Sequence, residues 1–378
     1  MKINLIKASV IIFLSLFMIG CQSDKVIVEQ PAELVKINSQ VKIDNTWSKK
    51  IFSDIPTGKT NLVVDSDGIF TFSSAGLVFS YFSNGKLNWE NDLNFSLSSG
   101  VGKGFGSLFV TSIDGDIFSL DINNGNLNWS SKIGGESLSV PSSNGDIVAV
   151  QTSNGKITAI NLKDGKFRWE YISVLPSLSL RGTSSPIFDD GNLYVGFANG
   201  NLAKIEPRSG VIQWEIPVTI SKGSSEIERI IDIDSKPLVS SGLAFATSYQ
   251  GDVSAINSLN GRVIWRNNFS STKDILEIER NIYLVDEDSE VQAFSGLTGI
   301  SLWRIKDYRL RNLTSPQRLN NYIIVGDFEG YLHFLDTSSG STIGRYRVSR
   351  SGILSLKTYK NSIVCLDTSG RLTYLEVK

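Results

Sequence analysis

Gly155-Lys156-Ile157-Thr158-Ala159-Ile160-Asn161-Leu162-Lys163-Asp164-Gly165-Lys166-Phe167-Arg168-Trp169 is the stretch that decides the fold. Ile157 and Ala159 alternate with Thr158 and Ile160, the period-2 signature of a strand. Asn154-Gly155 before the run and Asp164-Gly165 after it are hairpin turns that need positive φ. A second short strand follows and carries Trp169. The same pattern runs from Gly115 to Trp129, Gly200 to Trp214 and Gly251 to Trp265, each with its first Gly and its Trp 14 residues apart. The copy from Gly76 to Trp89 is shorter by one residue, Ser289 replaces the leading Gly before Trp303, and Gly344 takes the Trp position after Gly330. All seven tryptophans, Trp47, Trp89, Trp129, Trp169, Trp214, Trp265 and Trp303, fall into this series at spacings of 42, 40, 40, 45, 51 and 38 residues.

A period near forty residues identifies a repeat architecture. Between one Trp and the next leading Gly there is room for two more strands, for example Ser184 to Phe188 and Leu193 to Phe197, so each unit is a four-stranded meander. Apolar residues on both faces of such a unit need neighbouring copies to cover them, which a ring supplies. Leading glycines at 76, 115, 155, 200, 251, 330 and 370, with Ser289 in the open slot, make eight copies. The last, Gly370 to Glu376, reaches Lys378 before a fourth strand, whereas Asn45-Thr46-Trp47 is a fourth strand without its first three. The expected fold is an all-β, eight-bladed propeller over 45–378, closed by N- and C-terminal strands sharing one blade, so that no sheet edge is left free.

Composition narrows the chemistry. With 37 Lys+Arg against 38 Asp+Glu, the net charge of −1 supplies no global field for nucleic acid. One His and two Cys cannot build a nitrogen or thiolate metal cage, which leaves carboxylate sites for calcium; no metal or cofactor site is assigned. His333 lies inside the run Tyr331-Leu332-His333-Phe334-Leu335 with no nucleophile elbow nearby and reads as structural. Gly100-Val101-Gly102-Lys103-Gly104-Phe105-Gly106 neither follows a strand nor opens a helix, and reads as a turn between blade strands rather than a dinucleotide fingerprint. Asp121, Asp164 and Asp336 occupy repeated turn positions, and Cys365, in Ser362-Ile363-Val364-Cys365-Leu366, reads as a small buried hydrophobe.

Lys2 and Lys7 precede an apolar run from Ala8 to Ile19, shorter than the roughly 20 residues of a spanning helix, so 1–20 is expected to be a cleaved signal. Met18-Ile19-Gly20-Cys21 resembles a bacterial lipobox, in which Cys21 would be lipidated and become the first mature residue. Residues 21–44 then form the lipidated Cys and a linker. Gln22, not Asp, follows the Cys, which under the enterobacterial sorting rule favours the periplasmic face of the outer membrane. Membrane contact is expected through the lipid alone.

In a propeller the connections from one blade's last strand to the next blade's first share one rim. The two longest Trp spacings are consecutive, so the extra length is concentrated on neighbouring connections. One holds Leu178 and Leu180 beside Arg181, residue types that anchor interfaces. The other holds Asp232 and Asp234, which alternate with Ile231 and Ile233 and should point the same way. Two readings stay open from the residues alone: a binding surface, or Arg181 pairing internally with Asp232 or Asp234 to lock the rim.

The repeat from Ala159 to Trp169 resembles the tryptophan-docking motif of pyrroloquinoline quinone enzymes, but the adjacent Cys pair of those enzymes is missing. Ser177-Leu178-Ser179-Leu180-Arg181-Gly182, Gly223-Ser224-Ser225-Glu226-Ile227-Glu228-Arg229 and Gly326-Asp327-Phe328-Glu329-Gly330-Tyr331-Leu332-His333, with the lipobox and the repeats, resemble the BamB family of outer-membrane protein assembly factors. That resemblance implies a non-enzymatic scaffold lipoprotein of the β-barrel assembly (BAM) complex, binding a periplasmic POTRA domain of BamA through Leu178, Leu180, Arg181, Asp232 and Asp234. Other BAM subunits and nascent outer-membrane proteins are further implied partners. A periplasmic quinone-dependent oxidoreductase and a generic periplasmic holdase are the rival readings.

Overall fold

The computed structural model describes residues 29–54, 58, 59, 62–180, 182–221 and 223–378. Met1–Pro31 form one unit, of which 29–31 are described, and Ala32–Lys378 form the propeller unit. The propeller has eight four-stranded antiparallel blades, as the repeat count predicts. In chain order blades 1 to 7 span 63–92, 97–132, 142–172, 187–217, 238–268, 276–305 and 317–347. Blade 8 takes its inner strands from 353–377 and its outer strand from Ile43–Lys50. That outer strand pairs antiparallel with Arg371–Val377, Trp47 lying opposite Tyr374.

The core lies between blades. Phe70, Phe72, Val78 and Trp89 of blade 1 pack with Leu108, Val110, Phe118 and Leu120 of blade 2 in one buried cluster. Each outer strand carries one unpaired residue just before the Trp position: Arg168 lies between Phe167, opposite Ile160, and Trp169, opposite Ala159. The same irregularity recurs in the other seven blades. An extra residue of this kind bends and twists a strand, and here it re-aims the indole towards the next blade.

Each indole N–H then donates to a carbonyl of the following blade, Trp47 to Ser83, Trp89 to Ile122, Trp129 to Leu162, Trp169 to Pro207, Trp214 to Ser258, Trp265 to Gly296 and Trp303 to Thr337, at 2.7–3.2 Å. The ring lies over a turn glycine of that blade. At Gly125 (φ +74°) a Cβ would stand 2.4 Å from Trp89 Cε3. Blade 7 has Gly344 in place of the indole, and there the chain N-terminal to blade 8 fills the gap: a Cβ on Gly344 would meet Val41 Cγ2 at 2.9 Å and Ser39 Oγ at 3.1 Å.

Residues 32–42 therefore do more than link. The Ala32 N–H donates to Arg309 O (2.9 Å) and the Gln40 N–H to Ile343 O (2.8 Å), while Arg311 and Arg345 donate to Ala32 O and Val35 O at 2.9 and 2.7 Å. Regular pairing begins at Ile43. Beneath this segment His333 is buried, its Nε2 bonded to Asp327 Oδ2 (2.9 Å) and its Nδ1 accepting from Arg345 Nε (3.1 Å). Burial pushes the imidazole down in pKa against the pull of Asp327, so it stays neutral and structural.

Two strand readings shift. The inner strand of blade 4 pairs from Ile187, not Ser184, because Pro186 has no N–H to give. Gly100–Gly104 belong to the inner strand Leu97–Gly104, and the turn is at Phe105 and Gly106 (φ +50° and +77°). The glycines there answer crowding between blades: a Cβ on Gly102 would sit 2.1 Å from Pro141 O.

The docking of indole on glycine has a direct test. Gly191 shares the backbone conformation of Gly125 (φ +70°), but a Cβ there meets nothing within 4 Å. Gly191→Ala should cost only the left-handed penalty, about 1–2 kcal/mol. Gly125→Ala should cost about 1–3 kcal/mol more, from overpacking against Trp89. Equal losses in urea unfolding would contradict the docking account.

Candidate functional site

The connection between blades 3 and 4 (173–186) and that between blades 4 and 5 (218–237) lie on one rim, and blade 4 joins them. In the second connection Glu228 organises the insert: its carboxylate accepts the N–H groups of Ser224 and Ser225 (2.8 and 3.2 Å), which hold it below the usual carboxylate range. Arg229 Nε closes the turn on Gly223 O (2.9 Å). A single 3-10 turn, Ile227–Arg229, follows from these local bonds.

Beyond it the alternation predicted from sequence is realised. Ile231 and Ile233 face blade 4, where a Cβ on Gly200 would meet Ile231 Cδ1 at 2.7 Å and one on Gly196 would meet Ile233 Cγ2 at 2.3 Å. Asp232 and Asp234 point the other way, to the first connection. Asp232 Oδ2 accepts the Leu180 N–H at 2.5 Å. A Cβ on Gly182 would stand 2.5 Å from Asp234 Cγ. Ser184 Oγ adds a bond to Ser235 O (2.8 Å), and the Lys59 ammonium donates to Asp234 O.

Both carboxylates are buried rather than presented on the surface, and Asp232 Oδ1 accepts no hydrogen bond among the described residues. Two neighbouring buried carboxylates resist ionisation. Asp232 is pushed up to about 7, by burial first and by Asp234 next, against the stabilising Leu180 amide. Burial also raises Asp234, with Lys59 opposing and Glu287 adding to the rise.

Leu178 is 42% exposed and Leu180 is half-buried. Arg181 and Cys21 lie outside the described residues. The same two connections expose further apolar side chains that the sequence reading passed over: Val174 (82%), Leu175 (42%), Ile220 (61%) and Ile227 (66%). Their signal was position, apolar residues on connections longer than the repeat requires. Among the described residues no group of His, Cys, Asp or Glu could hold a metal ion, and no helix is long and apolar enough to cross a membrane. Cys365 is buried, and burial pushes its thiol well above the usual range.

The family model described as "Outer membrane protein assembly factor BamB" matches residues 74–305 and 255–355. The outer membrane protein assembly factor BamB of Escherichia coli (strain K12) is 35% identical over 338 residues, covering 86% of each chain. The crystal structure of BamB from Moraxella catarrhalis superposes with a TM-score of 0.82 at 26% identity, covering 89% of this chain and 100% of that one. A quinohemoprotein alcohol dehydrogenase from Comamonas testosteroni shares the fold alone, with a TM-score of 0.71 at 13% identity, over 89% of this chain and 76% of that one.

The state of Asp232 sets a pH signature. An unfolded-chain Asp titrates near ~3.9, so between that value and about 7 the folded protein holds the extra proton. Stability from this group therefore falls as pH rises through the window, and the loss is complete above it. Asp232→Asn keeps an acceptor for Leu180 but has no charge to bury. Its melting temperature relative to the parent should rise between pH 4 and 7.5 and then level off. A difference independent of pH would contradict the assignment.

Proposed function

The chain belongs to the BamB family of outer membrane protein assembly factors, and on that premise we propose that it is a non-enzymatic lipoprotein of the β-barrel assembly complex whose blade 3–5 rim holds a periplasmic POTRA domain of BamA. The observation that carries this reading is the tie between the two long connections. Asp232 fixes the Leu180 backbone at 2.5 Å, two residues after the exposed Leu178 and one before Arg181 in the sequence.

Leu178 is exposed, Leu180 is half-buried, and Asp232 and Asp234 are buried, and the proposed roles divide accordingly, with Arg181 assigned from the family resemblance. Leu178 and Arg181 meet the partner, an apolar anchor beside a planar cation of the kind that dominates interface energetics. Leu180, Asp232 and Asp234 set the loop, and ordering it before association lowers the entropic cost of binding. Asp232 and Asp234 thus serve the interface from beneath it. The partner itself follows from the family resemblance of the Leu-x-Leu-Arg and Asp-x-Asp loops.

Catalysis has little support. The fold is shared with quinone enzymes, but Cys365 is the mature chain's one cysteine besides the lipidation candidate Cys21, so the adjacent Cys pair of those enzymes has no counterpart. Attachment rests on Cys21, where each acyl methylene buried in the bilayer contributes ~0.8 kcal/mol. Retention on the periplasmic face of the outer membrane follows from Gln22.

The test is co-purification of the full-length lipoprotein with BamA. Arg181→Glu, in protein that still folds, and Leu178→Asp should each reduce recovered BamA at least tenfold, and Leu178→Asp should do so with a melting temperature within about 1 °C of the parent, because Leu178 is exposed. Undiminished recovery in both would overturn the assigned surface.

A further inference from the structure

A cavity of about 500 Å³ runs along the axis of the ring, walled by inner strands and their preceding connections. Its charged lining is one-sided: Lys59, Lys103, Lys236, Lys273 and Lys357 against Asp274. Lys103 is answered by ion pairs with Asp65 and Asp67. The other four arrive from different sectors of the ring. Lys59 enters from the connection between blades 8 and 1, Lys236 from that between blades 4 and 5, Lys273 from that between blades 5 and 6, and Lys357 from the inner strand of blade 8.

These four share one carboxylate within the cavity. Lys59 Nζ lies 3.7 Å from Asp274 Oδ1, and the Lys236 backbone N–H donates to the same oxygen at 2.8 Å. Among the described residues no carboxylate lies within ion-pair distance of the Lys236, Lys273 or Lys357 ammonium. Glu287 acts on Lys273 from further off, while its own Oε1 accepts the Thr272 N–H (2.7 Å). Asp234, close to Lys59, is itself pushed towards its neutral form by burial. Burial lowers Lys273 and Lys357 in pKa, with Lys59 adding to the effect at Lys273 and Lys236 at Lys357, while Asp274 opposes both. Asp274, partly exposed to the cavity, is held below the usual carboxylate range by Lys59, Lys236 and Lys357 against the desolvation of its site.

Walls of low dielectric focus such a field along the axis and raise the local concentration of counter-ions. A volume of about 500 Å³ falls within the small-molecule range of ~300–1,000 Å³. The hydroxyls of Ser142, Ser185, Thr272 and Ser315 line the same space and add neutral polar groups. We propose that the axial channel is a binding site for a small soluble polyanion, a molecule with two or more carboxylate or phosphate groups gripped by Lys59, Lys236, Lys273 and Lys357 from different sides. A monoanion would leave most of this charge unanswered, whereas a dianion or trianion matches the excess over Asp274. The site differs from the partner surface in its lining, although Lys236 lies on the blade 4–5 connection and the Lys59 ammonium donates to Asp234 O.

The experiment is calorimetric titration of the detergent-solubilised full-length lipoprotein with inorganic tripolyphosphate and with citrate, using sodium chloride at matched ionic strength as the reference. Saturable one-site binding of at least one probe is expected. Lys273→Gln combined with Lys357→Gln should weaken it at least tenfold, with BamA co-purification unchanged. In the parent protein the bound probe should also shield Lys236, Lys273 and Lys357 from acetylation, read by mass spectrometry, and leave the exposed Lys163 reactive. Heat no different from chloride for both probes, equal affinity in the double variant, or equal acetylation of all four lysines would each overturn the proposal.

Discussion

The indole laid over a left-handed glycine of the next blade is the contact on which the structure depends. It combines a hydrogen bond, as from Trp129 Nε1 to Leu162 O at 2.7 Å, with burial of a large aromatic face. The unpaired residue before each Trp position aims the ring, and the missing Cβ of the turn glycine admits it. Since each blade docks only on its neighbours, stability is approximately a sum over junctions. A ring needs all of them, and the junction lacking an indole, at Gly344, is filled by Val41 and Ser39. The segment leading to the closing strand thus completes the junction that the repeat leaves open.

A closed ring fixes where its connections emerge. The long connections flanking blade 4 are held on one rim by blades that cannot shift independently, and the Asp232 carboxylate bridges them through the Leu180 amide. Ile231 and Ile233 seat on glycines of blade 4 and set the direction of both carboxylates. A buried carboxylate near neutrality is a costly support. Its place beneath the exposed Leu178 makes sense as preorganisation of a contact surface rather than as a contribution to folding. The same ring gathers lysines from distant parts of the chain around its axis.

Much of the fold was legible because it is written locally and repeated: Gly, alternating strand, Gly, Trp. The shared blade was legible because the two incomplete copies, at Trp47 and at Gly370, complement each other. The pairing start of blade 4 was misplaced because Pro186 interrupts a run whose apolar pattern continues through it. The glycines at 100–106 looked like a turn because their cause, the approach of Pro141, lies in the next blade. At the candidate site the shared direction of Asp232 and Asp234 followed from period 2, but their burial did not, since it depends on a connection some fifty residues away. The axial lysines carry no local pattern at all: Lys59, Lys236, Lys273 and Lys357 become neighbours only when the ring closes.

Hydrogen exchange of the full-length lipoprotein, free and bound to the POTRA domains of BamA, tests the central claim most directly. Protection on binding should concentrate in residues 173–186 and 218–237, with the blade strands exchanging as in the free protein. Protection centred on the opposite rim or on the outer strands, with those two connections unchanged, would contradict it.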